Sequence, residues 1–105
     1  MITKEQISLA LKQVAGFNLH GPSRVDEVFV EDVRIAYMWC TTSRCRWRRF
    51  QHCDLYGIRH HCEYEVGRGL SDKAFAVAAS IARWRLHPEY LRPEVLRFRR
   101  AQTEA

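Results

Sequence analysis

Cysteine and histidine crowd one stretch of this chain. In "CRWRRFQHCDLYGIRHHCEYE", residues 45–65, stand Cys45, His52, Cys53, His60, His61 and Cys62, and Cys40 lies just upstream. Thiolate and imidazole are the ligands of structural zinc, so the first question is whether four of these groups meet around one ion. The spacing argues against it. Structural zinc sites pair their ligands roughly two to four residues apart on tight turns, whereas the cysteines here run C-x4-C-x7-C-x8-C with no CxxC. A reduced cysteine packs as a small hydrophobe. That is the role expected for all four, with no bound metal; a small zinc-binding protein remains an alternative.

Catalytic pairings are equally thin. Cys62 with His60 or His61 is the nucleophile–base pair the stretch offers. In an extended chain His61 and Cys62 point to opposite faces, and His60, on the face of Cys62, has no evident cleft to serve. "GRG" at 67–69 is too short for a phosphate-binding glycine loop. Asp26, Glu27, Glu31 and Asp32 have the chemistry for a divalent cation, yet scattered surface carboxylates are the commoner explanation. The chain is therefore expected to be non-enzymatic and to use no cofactor.

Charge is more informative. Seventeen basic residues stand against twelve acidic ones, a net +5, and fourteen of the seventeen are arginine. The planar guanidinium suits phosphate and carboxylate better than a lysine ammonium does, although GC-rich codon usage produces the same bias. No apolar run approaches the length of a membrane span. The first residues, "MITKEQISLALKQVAG", carry charges where a secretory signal has its apolar centre. A cytoplasmic protein with reduced thiols is the expectation.

Positioning these groups requires a fold, and 105 residues suffice for one small domain. Thr3 and Gln6 have capping-box spacing, followed by Ile7, Ala10, Leu11 and Val14 at helical intervals, with Gly16 as a stop. Val33, Ile35, Tyr37 and Trp39 then alternate with Arg34, Ala36 and Met38, which predicts a strand. "DLYG" at 54–57 reads as the turn of a hairpin between 45–53 and 58–66. Closed there, the hairpin sets Arg48 opposite Glu63, Arg46 opposite Glu65 and Trp47 opposite Tyr64, a mutually consistent set of pairs. In that register Cys45, Cys62 and Cys53 succeed one another about 13 Å apart, too far for one zinc. Ser71 marks the N-cap of a second helix, which runs to about Leu86 before Pro88. A short basic helix from Pro93 forms a C-terminal extension over 88–105.

The expected fold is thus α+β: a three-stranded antiparallel sheet packed with an N-terminal helix and a long second helix, in the order α-β-β-β-α. That order, with "GRGLS" leading into the final helix, is similar to a double-stranded-RNA-binding domain. The resemblance implies several lysines at the start of that helix, where "SDKAFAVAA" offers Lys73 beside Asp72.

On the outer face of the hairpin and beside it, Arg44, Phe50, His52, Arg59, His61 and Arg68 are left without evident partners. A ring among cations on a sheet surface suits single-stranded nucleic acid, bases stacking and arginines holding phosphates. The expected function is a small binding protein that contacts nucleic acid or a nucleic-acid-processing complex through those six residues. The alternative is a protein-binding inhibitor encoded by a phage or mobile element and acting on a host nuclease or defence complex. Val77, Ile81 and Trp84 form a second apolar stripe on the last long helix, a candidate homodimer seam.

Overall fold

The computed structural model describes residues 1–17, 19–42, 53–86 and 97–100. Among these, four helices form the body: α1 (Lys4–Gln13), α2 (Glu27–Thr41), α3 (Leu55–Val66) and α4 (Asp72–Ile81). α1 starts as its sequence predicts. The Thr3 hydroxyl accepts from Gln6 N, and the Gln6 side chain accepts from Thr3 N at 2.8 Å, a complete capping box. Ser71 likewise caps α4 by accepting from Ala74 N at 3.0 Å.

α4 sits at the centre. Ala74, Phe75, Ala76, Val77, Ala78 and Ala79 are all fully buried, so this helix has no solvent face over nearly two turns. α1, α2 and α3 pack around it, and its run of alanines lets their backbones come close. α1 contributes Ile7 and Ala10 to the core, its C-cap Val14 adds to them, and α2 contributes Phe29, Val30, Val33, Ala36, Trp39 and Cys40. α3 contributes Leu55, Ile58 and Cys62.

This arrangement overturns the α+β expectation. Residues 33–39 lie inside α2 and residues 58–66 inside α3, so the sheet they were to form does not exist. The alternation of Val33, Ile35, Tyr37 and Trp39 is real, but burial follows the helical period through Phe29, Val33, Ala36 and Cys40. Asp26 starts α2 by accepting from Phe29 N at 2.8 Å. In α3 the buried positions Leu55, Ile58 and Cys62 again fall at three- and four-residue steps, and Gly57 is inside the helix instead of in a turn. The proposed hairpin partner, 45–53, lies outside the described residues apart from Cys53.

Extended backbone occurs only in short pieces among the described residues. β1 (Cys53–Asp54), β2 (Trp84–Leu86) and β3 (Arg97–Arg100) pair antiparallel in the order β1-β3-β2, outside the helical body. They are not the strands expected. α4 stops at Ile81, short of Leu86, and Arg83 leaves it with a left-handed φ of 68°. The helix expected from Pro93 is extended where it is described, at Arg97–Arg100; its remaining residues lie outside the described set.

Two polar devices fasten the chain to this body. Arg34 on α2 donates from Nε and from its terminal nitrogen to Ile2 O, at 3.2 and 2.9 Å, which holds the N-terminus down. Lys73 donates its backbone N–H to His20 O at 2.9 Å and its Nζ to Pro22 O at 3.1 Å. That docks the loop before α2 on the start of α4. Gly21 passes so close there that a Cβ would sit 2.7 Å from Lys73 Cβ.

Because α4 is enclosed, enlarging one of its alanines has no direction in which to expand. Ala78→Leu should lower stability by about 1–3 kcal/mol through overpacking, while Leu9→Ala, on the exposed side of α1, should change it by less than about 0.5 kcal/mol. Chemical denaturation of the two variants checks the contrast.

Candidate functional site

Arg59 is the most heavily engaged of the six residues singled out from the sequence. Its Nε lies 2.7 Å from Asp72 Oδ1, and one terminal nitrogen lies 3.0 Å from Glu63 Oε1 and donates to Leu70 O at 3.2 Å. Glu63 in turn accepts from Leu70 N through Oε2 at 2.7 Å. The two side chains therefore clamp the turn between α3 and α4, with Gly67 supplying the left-handed φ of 75° that ends α3. This corrects the premise that Arg59 lacks an intramolecular partner. Glu63 pairs one helical turn back with Arg59, and the partner expected for it, Arg48, lies outside the described residues.

Arg68 has a partner as well, in Asp32 on α2 at 2.7 Å. Burial pushes the Asp32 carboxyl above its ordinary value; Arg68 pulls it down, and Glu31 and Asp26 push it up again. The desolvation cost is the larger influence. His61 sits edge-on to Trp39, ring centroids 5.8 Å apart, with its Nε2 3.9 Å from Glu65 Oε1. Glu65 accepts the buried indole N–H of Trp39 at 2.7 Å, so it ties α3 to α2; its expected partner Arg46 lies outside the described residues. Arg44, Phe50 and His52 lie outside the described residues.

The three of the six that are described each serve a different contact: Arg59 reaches α4 at Asp72, His61 meets Trp39 of α2, and Arg68, in the α3–α4 connection, pairs with Asp32 of α2. Helical spacing in 55–66 exposes instead a set the sequence reading left aside. Tyr56, His60 and Tyr64 stand at four-residue steps on the outer side of α3, and both tyrosines are exposed. The signal for them was present in the spacing, but it becomes visible only once 55–66 is helical.

The expectation of core thiols holds for the two whose side chains are described, and the dimer expectation shifts. Cys40 and Cys62 are buried thiols of α2 and α3, as core packing requires, while Cys45 lies outside the described residues. Among the described residues no three His, Cys, Asp or Glu side chains gather closely enough to hold a metal ion. Asp26 and Asp32 are occupied as a helix cap and an ion-pair partner. Val77 is fully buried within the single chain and Ile81 packs against the core, so the stripe proposed as a dimer seam is covered at Val77. No described helix is long and apolar enough to cross a membrane.

Electrostatics divide the chain sharply. Residues 1–42 and 55–83, the helices and their connections, carry eight basic and eight acidic side chains and are neutral overall. The entire net charge of +5 falls in 43–54 and 84–105, where nine arginines stand against four acidic residues. Backbone pairing joins these two segments at one place, with Cys53 opposite Phe98 and Asp54 opposite Arg97. No family model, no curated protein and no solved structure matches the chain, so function has to be argued from this geometry.

Two outcomes test the electrostatic reading. Arg59→Ala should cost about 2–4 kcal/mol, because it leaves Asp72 and Glu63 without their shared cation in a partly buried turn; a melting curve reads it directly. At Asp32 the raised carboxyl means that the fold binds more protons than the unfolded chain just above the ordinary carboxylate range. Stability from this group is present at low pH and lost as pH rises through its folded value. Asp32→Asn should therefore leave stability at pH 7 unchanged or higher, whereas Arg68→Gln should lower it by about 1 kcal/mol. Denaturant titrations at pH 4 and pH 7 separate the two.

Proposed function

We propose that this chain is a small non-enzymatic binding module whose partner is nucleic acid, engaged by the arginine-rich segments that flank a neutral helical body. The observation that supports it most is the charge partition. Two arginines of the body, Arg59 and Arg68, sit on carboxylates and the body's basic and acidic residues balance, whereas the arginines of 43–54 and 84–105 outnumber the acids near them in sequence. Arg44, with Arg46, Arg48 and Arg49, belongs to that excess. So do Arg85, Arg97, Arg99 and Arg100. The buried thiols of Cys40 and Cys62 suit a reducing, cytoplasmic setting for this role.

Phosphate contacts have a measurable signature, since each one releases counterions. Binding of a fluorescein-labelled oligonucleotide, followed by anisotropy, should weaken by roughly 10³-fold between about 50 and 200 mM salt if about six phosphates are held. Arg97→Glu combined with Arg99→Glu should flatten that slope and leave the melting temperature of the helical body within about 2 °C. Absence of binding at low salt sinks the reading. The alternative, an inhibitor docking on a nucleic-acid-handling protein, predicts an affinity that barely responds to salt.

A further inference from the structure

We draw no further inference here: the strongest candidate, the exposed row of Tyr56, His60 and Tyr64 along the outer side of α3, carries none because nothing among the described residues shows what covers it.

Discussion

The structure depends on the enclosure of α4. A helix buried over Ala74–Ala79 has to be covered on every side, and each covering element must bring an apolar stripe of helical period or leave that surface wet. α1, α2 and α3 each do so. The small alanine side chains set the approach distance, and Phe75 fills the space beneath Trp39 with ring centroids 6.1 Å apart. A sheet covers only one side of a helix, so the α+β arrangement leaves the opposite stripe of α4 needing another partner. That unmet need was already visible as the two apolar stripes of 75–86.

Local signals and tertiary demand agreed at some positions and diverged at others. Thr3 with Gln6, and Ser71, act through hydrogen bonds to residues three positions away, so they were legible directly. Residues 27–41 and 55–66 were not, because each satisfies two periods at once. Valine, isoleucine and tyrosine favour extended chain, but the strand scale spans only about 1 kcal/mol and yields to packing. Burial of a full helical face against α4 outweighs it. The apparent cross-strand pairs at Arg46, Arg48, Glu63 and Glu65 show how an alternative register can look coherent. Glu63 and Glu65 have nearer partners at helical spacing, Arg59 and His61, and Asp26 is an N-cap that reads equally well as a loop acid.

Which arginines serve the fold could not be extracted from the sequence for a related reason. Asp32 meets Arg68 and Asp72 meets Arg59 only after the helices dock. Exposed charge and structural charge look identical before that. What was legible was the total, because net charge needs no geometry, and with the helices placed its excess resolves into the two flanking segments.

That partition has an energetic logic. Excess like charge spread through a small core-bearing body raises the free energy of the compact state by self-repulsion. Keeping the body neutral confines the repulsion to the flanking segments, where an approaching anion can relieve it. Three carboxylates of the body, Glu63, Asp72 and Asp32, meanwhile, are engaged with its own arginines at the α3–α4 turn and between α2 and Arg68.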